Sequence, residues 1–434
     1  MRKTKSMARF WWALVIFGLT GQVAWTVENM YFNVFLYQMF HASAEAISAM
    51  VAASAISATA TTLLIGALSD KVGRRKAFIC GGYILWGLSI AAFALIRVDY
   101  LSALFPTVSA AALGVTLTIV LDCIMTFFGS SANDAAFNAW LTDSTDHSNR
   151  GAAEGINAMM PLMAILVVFG GFMSFDLSLS SSWTTIFLLI GGVVVAIGIL
   201  GVFLIQDTAI RIPENNHYFR NIVYGFRPSV IKNNPVLYAV LIAFSVFGIS
   251  IQIFMPYLIL YYQVSLQMDN YVLIMAPAII LASIATAFYG RLYDRFGFGR
   301  SIAPALLLLM GGYGLLYLCR GTAWVFVGSL LMMTGYLAGM AVFGAMLRDY
   351  TPENKAGMFQ GLRIVAQVLI PGVIGPAIGA AVLKNADTVQ NSDGTISFIP
   401  NADIFLAAGV AALFVWVSLA LVFGAKKGRN TDET

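Results

Sequence analysis

Twelve times along this chain the charged residues give way to an apolar run of about 20 positions, the length an α-helix needs to cross a ~30 Å hydrocarbon core. The runs fall at 10–40, 44–68, 77–96, 114–141, 152–173, 184–205, 236–263, 271–290, 302–318, 324–347, 356–384 and 403–424. In lipid every backbone N–H and C=O must be satisfied inside its own helix or a closed barrel, so few folds remain open to such a chain. The alternating ~10-residue segments of a membrane β-barrel are missing. Only 11% of the residues are charged, against roughly 25% in a soluble domain. The expected class is an all-α integral membrane protein with twelve transmembrane helices and the lipid bilayer as its surroundings. The opening MRKTKSMARFWWALVIFGL has the basic start of a signal peptide, but its apolar run is too long and has no small-residue cleavage site. It is expected to remain as the first helix.

Lys and Arg set the orientation. With the N-terminus in the cytoplasm, Arg97, Arg320 and Lys384 are the only ones of 25 basic residues to fall outside. Both termini are then cytoplasmic, and a plasma membrane of the bacterial inner-membrane kind is expected. The net charge of +4 reflects this asymmetry and gives no reason to expect nucleic acid as a partner. Cys80, Cys123 and Cys319 lie in or at the edge of apolar runs without paired spacing, which predicts neither disulfides nor a metal site. His41, His147 and His217 lie in loops or at run edges. Without a Walker loop, a His/Cys cluster or a nucleophile–base arrangement, neither an ATP-driven pump nor a membrane enzyme is expected, nor any cofactor.

The chain repeats itself. GALSDKVGRRK (66–76) returns as GRLYDRFGFGR (290–300), 224 residues later without a gap, pairing Gly66, Asp70 and Gly73 with Gly290, Asp294 and Gly297, and Lys76 with Arg300. The same offset lays Thr26 on Ser250, Glu28 on Gln252 and Tyr37 on Tyr261. FNAWLTDSTDHSNRGAAEGI (137–156) lies on FGAMLRDYTPENKAGMFQGL (343–362) at an offset of 206, pairing Asp143 with Asp349. Two six-helix, pseudo-symmetric halves, 1–205 and 236–434, are predicted, joined by a polar cytoplasmic linker, 206–235. Halves related in this way belong to transporters that work by alternating access.

GALSDKVGRRK resembles the cytoplasmic signature of the major facilitator superfamily, Gly-x-x-x-Asp-(Arg/Lys)-x-Gly-Arg-Arg-(Arg/Lys), and the resemblance extends over nearly the whole chain. It implies the major facilitator fold, a central cavity lined by helices 1, 4, 7 and 10, and a cytoplasmic gate. Residues of that gate are Gly66, Asp70, Gly73, Arg74 and Arg75, with Asp294 and Arg300 in the second copy and Asp143, Arg150 and Asp349 in the loops after the fourth and tenth spans. NDAAFNAWLTDSTDHSNR is similar to the corresponding region of the glycoside–pentoside–hexuronide cation symporters, the family of melibiose permease. DYTPENKAGMFQGLRIVAQ resembles that family's loop 10–11 and helix 11. The chain departs from the family's sugar symporters in three places. It has only Thr61 and Thr62 where they carry paired aspartates, Pro371 or Gly372 near their lysine position, and Gln22 where an aspartate is expected.

A charge at mid-membrane costs at least about 2.5–3.5 kcal/mol, so it persists where a cavity or partner uses it. In the fourth span Ser131, Asp134, Asn138 and Thr142 are spaced to share one helical face, with Asn133 beside the carboxylate. These oxygens suit a small cation, or Asp134 a proton. Glu28 and Asp122 are further coupling candidates. Gln22, Thr26, Asn29 and Asn33 form a polar stripe on the first span, read as a cavity wall. Gln360, Arg363 and Gln367 share a face of the eleventh, where Arg363 is expected to be the one buried cation, available to neutralise Asp134 or Glu154 or to bind an anionic solute. Trp25, Trp140, Tyr257 and Tyr261 offer faces on which a sugar could stack, and Gln252 completes the candidate substrate residues. LIPGVIGPAIGAAV (369–382) is read as a kink or gate. Together these predict a secondary active transporter, a functional monomer that couples H⁺, or else Na⁺, to a small-molecule substrate such as a sugar or glycoside. A proton-coupled exporter of amphipathic compounds on the same fold is the rival, and a non-transporting membrane sensor the rival from another class.

Overall fold

The computed structural model describes residues 2–72, 74–145, 149–206, 224–268, 270–351, 356–391 and 394–432. Twelve helices are long and apolar enough to cross a membrane: α1 Met7–Phe40, α2 Ala44–Gly66, α3 Arg75–Leu95, α4 Ala110–Asp143, α5 Gly155–Phe172, α6 Ser180–Leu204, α7 Pro235–Ser265, α8 Val272–Tyr289, α9 Arg291–Leu318, α10 Thr322–Tyr350, α11 Gly361–Leu383 and α12 Asp403–Lys426. They match the predicted runs to within a few residues, apart from α9, which begins eleven residues before its predicted start. Several pieces outside the spans were not predicted. Among them are a short helix, Pro228–Asn233, in the predicted linker, another, Val98–Leu104, and an antiparallel hairpin of β1 Thr388–Gln390 with β2 Ile396–Phe398, Val389 opposite Ser397.

The chain divides into two compact units, Met1–Asn216 and His217–Thr434. Most of the predicted linker, 207–223, lies outside the described residues. Large apolar side chains such as Leu188, Phe203, Leu307 and Val417 are exposed, as expected of helices whose outer faces meet lipid. Inside each unit small residues let backbones approach. A Cβ on Gly87 of α3 would stand 2.5 Å from the Gly191 carbonyl oxygen of α6, and one on Gly312 of α9 would stand 2.4 Å from the Met332 nitrogen of α10.

Four spans leave α-helical geometry where polar residues are; in α7, Met255–Tyr257 is a 3₁₀ turn and Tyr261–Ser265 a π turn. In α1, Val27–Tyr31 forms a wider π turn, and in α4 the π segment runs Ser130–Phe137. In α11 it is Val365–Leu369, directly before Pro371. Proline cannot donate a backbone hydrogen bond, and the π turn takes up that loss, so the helix runs on through Ile370–Leu383. Two glycines of the stretch read as a kink or gate, Gly375 and Gly379, pack closely against α7. A Cβ on Gly375 would meet Gln252, and one on Gly379 would meet the Ile253 carbonyl.

Candidate functional site

The π segment of α4 carries Asp134. The Ser130 hydroxyl donates to its Oδ2 at 3.0 Å, and the Asn133 amide to its Oδ1 at 3.3 Å. Asn133 is itself fixed by the Tyr83 hydroxyl, which donates to its Oδ1 at 2.9 Å. Trp25 of α1 lies beside the carboxylate, its buried indole N–H without a hydrogen-bond partner. No ion pair reaches Asp134 among the described residues. Asp134 is half-buried, and Asn138, one turn on, is exposed.

The predicted face of Ser131, Asp134, Asn138 and Thr142 needs correction. Ser131 donates to the Phe127 carbonyl at 2.6 Å, not to Asp134. Asn138 and Thr142 turn back to the carbonyls of Asp134 and Asn138. The π turn holds more residues than an α turn, which puts Ser130 rather than Ser131 beside the carboxylate. The row on α4 is therefore Asp122, Thr126, Ser130 and Asp134, at spacings of four.

The other two acids lie further along this row. Glu28 and Asp122 are both buried, 6% and 1% exposed. Ser54 of α2 donates to Glu28 Oε1 at 2.5 Å and Thr126 donates to the same oxygen at 3.0 Å, with the two hydroxyls 2.9 Å apart. Ser54 was missed by the sequence reading, since nothing marks one serine among the many of the second span. The first-span stripe is split by its own π turn. Gln22 is half-buried and Asn29 exposed, but Thr26 and Asn33 are buried and donate to the carbonyls of Gln22 and Asn29.

In the second unit Gln252 is half-buried. Tyr257, expected at the substrate, is fully buried, its hydroxyl donating to the Pro376 carbonyl at 3.4 Å. Tyr261 and Trp140 are also packed inside, the latter donating to the Gln206 carbonyl at 3.0 Å. Of the four aromatics proposed to stack on a solute, only Trp25 is partly open. Arg363 was expected to be buried. It is exposed and donates to Gln367 at 3.3 Å, and the side chains of Gln360 and Glu154 lie outside the described residues.

The gate residues divide in the same way. Buried Arg75 bridges α3 to α4 through Asp143 Oδ2 at 3.1 Å, and reaches the Ser69 hydroxyl at 2.5 Å. Ser69 in turn donates to the Gly66 carbonyl. In the second unit Tyr293, the repeat mate of Ser69, donates directly to Asp349. Tyr293 was not singled out by sequence, although the offset of 224 points to it. Arg74, Asp294 and Arg300 are exposed. Gly73 and the side chains of Asp70 and Arg150 lie outside the described residues, so the proposed Asp70 contact with a helix start is not described.

Twelve helices long and apolar enough to span, a repeated sequence and a half-buried acid held in a distorted helix together define a membrane protein of transporter type. The profile of the Major Facilitator Superfamily matches residues 10–376, and the chain belongs to that superfamily. Among solved structures it is similar to the nucleoside transporter NupG, at a TM-score of 0.71 and 12% identity over 95% of this chain and 98% of that one. It is similar to a bacterial homologue of the human lysosomal transporter Spinster, inward-facing and unoccupied, at 0.66 and 14% over 96% and 97%. It is also similar to the xylose transporter XylE from E. coli in a partially occluded inward-open conformation, at 0.63 and 17% over 95% and 97%. At these identities the likeness speaks for the fold alone. A search of curated proteins finds no significant match.

Proposed function

We propose that the chain is a secondary active transporter in which a cation, H⁺ ahead of Na⁺, binds at Asp134 and drives uptake of a small polar solute by alternating access. The observation that carries this reading is the setting of Asp134: a carboxylate inside a spanning helix, hydrogen-bonded by Ser130 and Asn133, with no ion pair beside it. Binding and releasing a cation is the chemistry that setting allows. π turns inside helices are often found at functional sites, and this one carries two polar side chains, Ser130 and Asn133, that donate to one carboxylate.

The solute class follows from what is open around the acid. Trp25, Gln22, Asn29 and Asn138 offer an indole face and amides, a surface for hydroxyl-bearing rings rather than for lipid tails. Within the superfamily, the stretches at 133–150 and 349–367 resemble those of the glycoside–pentoside–hexuronide cation symporters, which supports a sugar or glycoside as the solute proposed. The nucleoside and xylose transporters of similar fold also carry polar solutes.

The test is accumulation of a panel of radiolabelled sugars, glycosides and nucleosides by cells and proteoliposomes, under an imposed proton or sodium gradient. Asp134→Asn is expected to abolish accumulation while leaving exchange of the same solute across the membrane. Undiminished accumulation by that variant would remove Asp134 from coupling.

A further inference from the structure

Glu28 and Asp122 share a feature that the Asp134 site does not use. Glu28 takes both of its described hydrogen bonds, from Ser54 and Thr126, on one oxygen. Its other oxygen, Oε2, is buried without a partner, and so is Oδ1 of Asp122. Asp122 lies one helical turn before Thr126, which donates to Glu28, so the geometry puts the two acids in one neighbourhood, and they interact electrostatically. Thr118, one turn before Asp122, adds a hydroxyl that is fully buried and unpartnered. A buried polar atom left without a partner costs roughly 1–3 kcal/mol, and more when charged. The groups that face the pair from α1, α2 and α4 are Ser54, Thr126, Cys123 and, further along the row, Asp134. None is a cation.

We propose that Glu28 and Asp122 form a second proton-binding site, separate from Asp134, in which one proton is shared between the two carboxyl groups. The proton forms an O–H bond on one carboxyl and a hydrogen bond to the other, directly or through one water, and no other bond changes. That single event satisfies both unpartnered oxygens and removes one of two like charges from a place with no cation to balance them. A metal ion fits less well. Divalent cations of the hard kind gather six or more oxygens, and no cluster of three or more His, Cys, Asp or Glu suited to a metal occurs among the described residues. The site rests on the transporter reading only for what the proton is used for. There it means that one transport cycle can carry two protons, one at Asp134 and one at the pair.

Infrared spectroscopy of the purified full-length protein in liposomes tests this without a transport substrate. Wild type and Asp134→Asn are expected to show a protonated-carboxyl stretching band at neutral pH that Glu28→Gln/Asp122→Asn lacks. If the double variant does not fold, Asp122→Asn alone is read instead, since its amide supplies the N–H that the shared proton supplied, and the band is again lost. A band at full strength in the folded Glu28→Gln/Asp122→Asn protein, its loss in Asp134→Asn alone, or its replacement in wild type by a sodium-dependent carboxylate shift would each overturn the proposal. Failure of the transport reading looks different: Asp134→Asn would then accumulate solute normally whatever the band does.

Discussion

Glu28 and Gln252 hold the same place in the two copies of the repeat, and their surroundings differ. Glu28 sits among Ser54, Thr126 and Asp122. Gln252 lies against the backbone of Gly375, where a Cβ would stand 2.5 Å from its own Cβ. The contrast extends along both units. Asp134 falls on Met340, which is 38% exposed, and the π segment Ser130–Phe137 falls on a stretch of regular helix within Thr322–Tyr350. Among the described residues the second unit buries no Asp or Glu. It buries hydroxyls that tie α7 to its neighbours. Ser250 pairs with Tyr313 of α9 at 3.1 Å and donates to the Ala408 carbonyl of α12 at 2.8 Å, Tyr262 pairs with Ser329 of α10, and Ser245 donates to the Ala366 carbonyl of α11 at 2.9 Å. One copy of the repeat has kept groups that change charge, and the other uses neutral groups as fasteners.

The sharpest way to break that contrast is to give the second unit the first unit's acid. Gln252→Glu places a carboxylate in a spanning helix with no hydroxyl pair arranged for it. Its expected cost is about 2.5 kcal/mol or more, seen as a lower midpoint in denaturant titration of the purified protein. Glu28→Gln is expected to leave that midpoint nearly unchanged, because its amide oxygen can still accept from Ser54 and Thr126 and its N–H can replace the shared proton toward Asp122. Equal losses in both variants would show that the two environments are alike.

The positions expected from sequence to form a cytoplasmic gate make a smaller comparison of the same kind. Arg75 is buried between Ser69 and Asp143, whereas in the second unit position 299 is Gly and Tyr293 spans to Asp349 alone. Arg75→Ala strands Asp143, but that carboxylate is 29% exposed, so the loss is expected below the full cost of a broken buried pair, at about 1–3 kcal/mol. Tyr293→Phe removes one hydrogen bond to an exposed acid, for about 0.5–1 kcal/mol. Denaturation midpoints of the two variants should fall in that order.

The spans, the repeat and the candidate acids were legible in the sequence because hydropathy, glycines and charges each leave a mark at a single position. The arrangement within a helix was not. The choice of Ser131 over Ser130, and of Asn33 as a cavity residue, assumed an unbroken α-helical period, and π turns at 27–31 and 130–137 shift that phase. Tyr257 and Tyr261 were misplaced for another reason. In a chain this apolar an aromatic ring reads the same whether it packs inside or faces a solute, and only the neighbours decide.

The smallest effect compares the arginines that end α3 and α9. Arg97 donates through Nε and Nη2 to Asp99, at 3.0 and 2.8 Å, and through Nη1 to Thr184 at 3.4 Å. Arg320 donates to the carbonyls of Leu316, Tyr317 and Cys319, the last turn of its own helix. The guanidinium hydrogen bonds hold the Asp99 carboxyl below its ordinary value. An acid lowered in this way stabilises the folded chain above its unfolded pKa of about 3.9, and that contribution fades as pH falls through the folded value. The pair is largely in water, so at most about 0.2–1 kcal/mol is at stake, less in high salt. Arg97→Ala should therefore lower the melting temperature slightly from pH 8 to 5, with the gap to wild type closing below about pH 4. The carbonyls capped by Arg320 carry no titratable proton, so the gap for Arg320→Ala should not change with pH. A pH-dependent gap for Arg320→Ala, or a constant one for Arg97→Ala, would show that the division between a titrating first unit and a neutral second one stops at the membrane surface.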